Sequence, residues 1–337
     1  MTRNLFTAAL VSAVLFLCIS CSGGSTSAEQ KPRIGAPDPT WVTSISLHSN
    51  GAISRFSPVR VLFTNDVIPE SRVGSDAAGN IAISPAVKVK ATFTSRREIT
   101  LRPETEFAPG TAYKVQVFAK DLSGLPTDTK PFEFMVSTLG VAFDVQVHGL
   151  DVEWDRNELM ALTGTVATAD TESRERVEKI VKATLDGKAV AVTWSPGDRS
   201  HSFAVRDIVR KKQEQELIVS WDGSPLGVTQ SGSQSWRIPA LDEFAVTQTK
   251  AVEVNDQRQI QVQFSDSLDA RQELKGLIRL SRGEFTTSIN RNVLTLYVNQ
   301  DLTGDVTVTL EPGLKSRAGQ PLIGEREFKL EFSNTKP

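Results

Sequence analysis

The chain has 337 residues, with 38 Lys and Arg against 40 Asp and Glu, so its formal net charge is −2. Hydrophobic residues make up 39% and charged residues 23%, the balance of a globular chain rather than a disordered one. A near-neutral charge excludes a polybasic nucleic-acid binder, and three His with two Cys, both Cys before residue 22, exclude a zinc set or a disulfide framework in the body of the chain.

Arg3 supplies a short positive start, and Leu5 to Ile19 form an apolar run of signal-peptide length. A membrane-spanning helix needs about 20 apolar residues, more than this run offers. Ser20-Cys21-Ser22-Gly23-Gly24 follow. The segment resembles a bacterial lipoprotein signal, cleaved between Ser20 and Cys21, with Cys21 as the lipidated residue. The alternative is an ordinary secretory peptide with an incidental Cys. Cys18 fits less well, because bulky Leu17 precedes it. With Ser22 and no Asp after the lipidated position, the resemblance implies an outer-membrane lipoprotein, periplasmic or surface-facing. Residues 22 to 38 are rich in Ser, Gly, Pro and charge and read as a flexible tether. Such a chain is anchored to a membrane and does not span it.

From residue 41 onward, short alternating runs dominate. Val59-Arg60-Val61-Leu62-Phe63, Tyr113 to Phe118, Ile260 to Phe264 and Val306 to Leu310 each alternate at period two, which predicts strands with one buried face. Turn signals such as Asp186-Gly187, Asp222-Gly223 and Ala318-Gly319-Gln320 separate them. One exception is Glu172 to Lys182, where Val177, Ile180 and Val181 fall at helical spacing and predict a short helix or turn.

An internal repeat sets the domain count. Val59–Asp66 parallels Ile260–Ser267, Ile81–Ser84 parallels Ile278–Ser281, and Glu98–Leu101 parallels Asn292–Thr295. Asp121–Pro126 parallels Ser316–Pro321, and Phe132–Phe134 parallels Phe328–Leu330. The offsets are 201, 197, 194, 195 and 196 residues, so small loop changes hold the register. The chain divides into a signal peptide (1–20), a lipidated Cys and tether (21–40), and three β-sandwiches at 41–139, 140–241 and 242–337, the last repeating the first. Units of about 100 residues are a usual sandwich size.

The first copy resembles the bacterial Ig-like domains of S-layer proteins. It has the opening strand running into Asp66, then Pro109-Gly110-Thr111-Ala112-Tyr113, the Asp121–Pro126 turn and a final aromatic strand at Phe132–Val136. The second copy keeps Gly304 but lacks the Pro and Tyr. The middle unit runs through Leu162-Thr163-Gly164-Thr165-Val166, Leu185-Asp186-Gly187, Val219-Ser220-Trp221-Asp222-Gly223 and Ile238-Pro239-Ala240-Leu241. In that order, after a lipoprotein signal, these motifs resemble the N-terminal region of the bacterial alpha-2-macroglobulin family as found in Bacteroidota. The resemblance implies an all-β chain of tandem Ig-like and macroglobulin-like sandwiches. It further implies a scaffold for an envelope endopeptidase trap, with downstream macroglobulin domains and host or competitor proteases as partners. The family's thioester needs a Cys followed by Glu-Gln, and no Cys follows Cys21.

No Gly-x-Ser-x-Gly elbow, His-Glu-x-x-His or phosphate loop occurs, so neither an enzyme nor a cofactor is expected. His148 sits in an alternating strand facing solvent, and His201 at the start of another; neither is expected to be catalytic. Asp66, Asp76, Asp121, Asp128, Asp266 and Asp269 offer oxygens. Calcium needs about six to eight clustered together, and these carboxylates are expected to cap turns instead. The basic run Arg206–Lys212 is expected to be a solvated hairpin turn. Trp194 and Trp221 lie in alternating strands and are expected to pack. Trp154 and Trp236 are the candidate contact surface for a glycan or a protein. The alternative function is accordingly a stand-alone surface lipoprotein whose Ig-like domains serve adhesion or glycan binding.

Overall fold

The computed structural model describes residues 34–153, 156–195, 197–298 and 302–332. Ser20, Cys21 and Trp154 lie outside them. The chain is all-β and Ig-like, built from pairs of sheets around three separate hydrophobic clusters.

The first unit begins with a short helix, α1 (Pro39–Ser44), where the tether was expected to continue to residue 40. Asp38 caps it by accepting from the Thr40 N–H at 3.0 Å, and Pro39 presets the first turn. The helix delivers Trp41 into the core, fully buried, with its indole Nε1 donating to the Lys130 carbonyl at 2.6 Å. Then come β1 (Ile45–His48), β2 (Gly51–Ile53), β3 (Val59–Phe63), β4 (Ile81–Ser84), β5 (Val89–Ser95), β6 (Glu98–Pro103), β7 (Ala112–Val117) and β8 (Phe132–Thr138). They form two sheets in the orders β1-β3-β6-β5 and β2-β8-β7-β4. The alternation explains the packing. Val59, Val61 and Phe63 of one sheet, and Tyr113, Val115 and Val117 of the other, all point inward into one cluster.

The second unit contains β9 (Phe143–Glu153), β10 (Arg156–Thr168), α2 (Arg174–Val177), β11 (Val181–Leu185), β12 (Lys188–Val190), β13 (Thr193–Ser195), β14 (Ser200–Val209), β15 (Gln215–Asp222) and β16 (Ser231–Ile238). Its sheets are ordered β13-β14-β10-β9 and β12-β11-β15-β16. The single turn of α2 satisfies the helical spacing seen in the sequence: Val177, Ile180 and Val181 are all buried.

The third unit contains β17 (Val246–Val254), β18 (Gln257–Phe264), β19 (Ile278–Leu280), β20 (Phe285–Asn290), β21 (Val293–Val298), β22 (Gly304–Leu310) and β23 (Glu327–Phe332). Its orders, β17-β18-β21-β20 and β19-β22-β23, reproduce those of the first unit with the β2 edge missing. The strands matched in the repeat occupy equivalent places: β3 and β18, β4 and β19, β6 and β21, β8 and β23.

Candidate functional site

The polar chemistry of the chain gathers where one unit meets the next. At the first joint the turn after β2 presents Arg55, and the chain leaving β10 presents Asp170, Thr171 and Glu172. The Arg55 backbone N–H donates to Asp170 Oδ2 at 2.8 Å. Its guanidinium Nη2 donates to the Thr171 carbonyl and to Glu172 Oε1, both at 2.9 Å. The other Glu172 oxygen accepts from Arg176 Nη1 of α2 at 2.9 Å, and Arg176 Nε donates to the Pro225 carbonyl at 2.9 Å. The side chains of Arg55, Asp170 and Glu172 are 4%, 3% and 4% exposed. Burial acts to raise the Asp170 pKa. The backbone donors of Arg55 and Thr171, the Ser54 hydroxyl and the Arg55 charge outweigh it and hold the carboxyl below its ordinary value.

At the second joint Arg210 follows β14 with no side-chain exposure. Its guanidinium donates to the carbonyls of Asn157 (2.9 Å), Pro239 (3.2 Å), Ala240 (2.7 Å), Glu243 (2.9 Å) and Ser265 (3.0 Å). It also meets both oxygens of Asp266 at 3.1 Å. One side chain thus fastens the start of β10, the connecting segment 239–243 and the exit of β18. Burial pushes the Asp266 carboxyl up, against the Arg210 charge and the Ser265 hydroxyl. The expectation of a solvated turn over Arg206–Lys212 is therefore corrected. Residues 206–209 complete β14, and Arg210 shares the inward parity of Ile208, which is also buried.

The same joint closes the free edge of the second unit's sheet. Strand β9 is an outer strand there. Lys250 Nζ donates to the His148 carbonyl at 3.0 Å, Gln263 Nε2 to the Leu150 carbonyl at 2.9 Å, and Asn292 Nδ2 to Asp151 Oδ1 at 3.0 Å. Gly149 lies between them at φ +122°, and a Cβ built there would meet Gln248 Oε1 at 2.2 Å. Lys250 and Gln263 thus occupy two backbone carbonyls that a foreign strand would seek, and Asn292 holds the adjacent Asp151 side chain.

The remaining residues singled out by the sequence fall elsewhere. Trp236, expected as a contact surface, is buried on β16 in the second cluster and offers no platform. Its parity with Ile238 on that strand, both inward, is the reason. Trp194 is half-buried and tilts over Phe203 at 5.5 Å between ring centroids; Trp221 also packs on that cluster. His148 is exposed, with its ring 3.3 Å from the Thr165 hydroxyl. His201 is 2% exposed and opposes Val166 across the β10–β14 ladder. Its Nε2 has no hydrogen-bond partner among the described residues, and burial lowers its pKa against the opposing charge of Asp198. Asp76 and Asp269 accept backbone N–H groups two residues on, at 3.0 Å, as turn caps do. Asp66 pairs with Arg97 (2.6 Å) and Arg96 (3.1 Å) instead. Among the described residues no group of three or more His, Cys, Asp or Glu is placed to hold a metal.

Sequence reasoning missed both joints, although the inward parity of Arg210 and Asp266 beyond Ile208 and Phe264 was a usable signal. No family model and no curated protein matches the chain. Among solved structures, the titin Ig tandem domains A164-A165 are 11% identical, covering 57% of this chain and 92% of theirs at a TM-score of 0.23. An LD transpeptidase, LdtMt1 in complex with imipenem, is 14% identical over 60% of this chain and 75% of its own, with a TM-score of 0.22. The surface layer protein SbsC, domains 1-6, is 11% identical over 87% of this chain and 54% of its own, with a TM-score of 0.20. These likenesses concern the fold alone.

Proposed function

We propose that the chain is a non-catalytic spacer and scaffold of the cell envelope, tethered through a lipid on Cys21, that serves a bacterial alpha-2-macroglobulin-like endopeptidase trap. The observation that carries the spacer part is the pair of joints, each fastened by a buried arginine. A linker built for free motion would leave such groups in water, because a desolvated guanidinium is tolerated only where its donors are matched. The matched donors, which are all but Arg55 Nε (3.4 Å from Asp170 Oδ2 and without a hydrogen bond among the described residues), fix the orientation of adjoining units, so the three units hold what they carry at a set distance from the end of the tether. The trap itself rests on the resemblance of the motif order, and its proteases would be engaged by macroglobulin domains elsewhere in the full protein.

The test is an immunoblot of the native host with antibody to residues 241–337, beside metabolic palmitate labelling. A labelled band far larger than a 337-residue chain supports the reading, and protease-trapping assays on that product follow. A band of the chain's own mature size removes the trap and leaves a stand-alone surface lipoprotein for adhesion. Labelling that survives Cys21→Ser removes the anchor.

A further inference from the structure

Beside the second joint the third unit opens a cleft of about 510 Å³ over Ser267, Leu268 and Asp269. It shares Ser267, Arg291 and Arg317 with a second hollow of about 260 Å³ that reaches the second unit. The backbone sets the spacing of its walls. The Leu268 N–H donates to the Arg291 carbonyl at 2.9 Å, and the Arg317 N–H donates to the Ser267 carbonyl at 2.7 Å. Segment 267–268 therefore runs between the Arg291 turn and the Arg317 segment. Three such neighbours spaced as strands place Arg291 and Arg317 about 10 Å apart, within reach of one ligand for side chains of this length. Arg271 stands at the same cleft.

In the larger cleft Arg271 and Arg317 stand with one acid, Asp269, and one oxygen of that acid is taken by the Arg271 backbone N–H at 3.0 Å. The smaller hollow, which Arg317 also lines, adds Glu158 and Glu153, the latter paired with Arg156 at 2.7 Å. Arg271 and Arg317 are exposed and make no ion pair among the described residues. Arg291, which has a partner of its own, also lines the rim. The half-buried Ser267 adds a hydroxyl at the floor. Several exposed arginines elsewhere are matched to acids, as Arg60 is to Glu98 and Arg97 to Asp66. Guanidinium forks suit tetrahedral oxyanions, which accept several N–H bonds at once.

We infer that this cleft is a phosphate-binding site, with Arg271 and Arg317 as its principal donors and Ser267 as the floor donor. The phosphate has two sources with one chemistry: a free phosphate compound, or the headgroup of a lipid beside which a tethered chain would stand. The inference stands apart from the spacer reading, and either can fail alone.

The test uses the whole chain without its signal peptide. Pyrophosphate is titrated calorimetrically at a constant ionic strength of about 0.15 M, so that general screening does not change. In parallel, vesicles of phosphatidylcholine with and without phosphatidylglycerol are co-sedimented with the protein. Saturable pyrophosphate binding that weakens about tenfold or more in R271A/R317A, and is unchanged in the exposed control Lys188→Ala, supports the site. Co-sedimentation with phosphatidylglycerol vesicles that depends on the same two arginines assigns the lipid source; pyrophosphate binding without it assigns a free phosphate. Binding equal in the native chain and R271A/R317A, or no saturation with either probe, overturns the proposal. Circular dichroism and melting of both variants check that the fold is kept.

Discussion

Arg210 and Asp266 meet at 3.1 Å across the second joint, with side chains 0% and 7% exposed. The pair holds two units through a contact from which water is excluded. An ion pair so placed adds little when compared with an apolar pair of the same shape, yet removing one member leaves the other charged and unsolvated. Arg210→Ala is expected to destabilise the chain by about 3–5 kcal/mol, since it strips Asp266 of its partner and leaves five carbonyls short of a donor. Arg210→Lys is expected to recover part of this only, because an ammonium cannot reproduce the planar fork. Urea unfolding followed by tryptophan fluorescence measures both, with four of the five tryptophans lying between residues 154 and 236. A native unfolding curve for Arg210→Ala would refute the hub.

Asp170 at the first joint gives an acid signature. Its folded-state pKa lies below the ordinary value of 3.8, so its contribution is present above that pH and is lost as pH falls through the folded value. Asp170→Asn is expected to cost about 1–3 kcal/mol at neutral pH, through the weakened bond from the Arg55 backbone N–H and the lost ion pair to Arg55 Nε at 3.4 Å. It should also flatten the fall in stability below about pH 4. Unfolding free energies from pH 7 down to pH 3 decide; an unchanged acid limb in the variant would count against Arg55–Asp170 as a clamp.

His201 acts at milder pH and by a different route. Burial holds its folded pKa below 6.5, so on acidification the unfolded chain takes up the proton first. Stability of the second unit is therefore expected to decline as pH falls through about 6.5 and below. His201→Leu removes the titrating group and should flatten that slope, whatever its absolute stability. Fluorescence-monitored melting between pH 8 and pH 5 gives both slopes, and parallel slopes would dismiss the imidazole as the cause.

Gly149 tests the covered edge of β9. At φ +122° any other residue is strained, and its Cβ would meet the Gln248 side chain. Gly149→Ala is expected to cost about 1–3 kcal/mol from the backbone term. Pairing it with Gln248→Ala relieves the collision and separates the two terms: a cost that persists is backbone strain, and one that vanishes is side-chain crowding. A four-point mutant cycle by urea unfolding distinguishes them.

Much of the architecture was legible because a strand writes its buried face into every second residue. Val59, Val61 and Phe63, and their counterparts Ile260, Val262 and Phe264, announce equivalent strands in that way. The joints were not legible. Arg55 and Asp170 stand 115 positions apart and belong to different cores, so no periodicity links them. Arg210 was masked by company: Arg206, Lys211 and Lys212 are exposed, and composition weighs all four alike. Parity separates them, since Arg210 continues the inward row of β14. Trp236 was misjudged for the converse reason. Its aromatic side chain suggests a platform, while its own position on β16, in step with Ile238, points inward. Helix α1 was carried by three residues, Asp38, Pro39 and Trp41, too few to outweigh the polar tether before them.

The covered edge of β9 also constrains how the molecule is made. A chain emerges from the ribosome, or from a translocation channel, with its N-terminal parts first, and domains fold as they become available. The second unit can therefore complete its sheet before Lys250, Gln263 and Asn292 have emerged. Until they arrive, the carbonyls of His148 and Leu150 are open to pairing with another nascent strand. Biogenesis thus passes through an interval of heightened aggregation risk that ends when the third unit docks, and a holdase chaperone bound during that interval would raise the yield of folded protein.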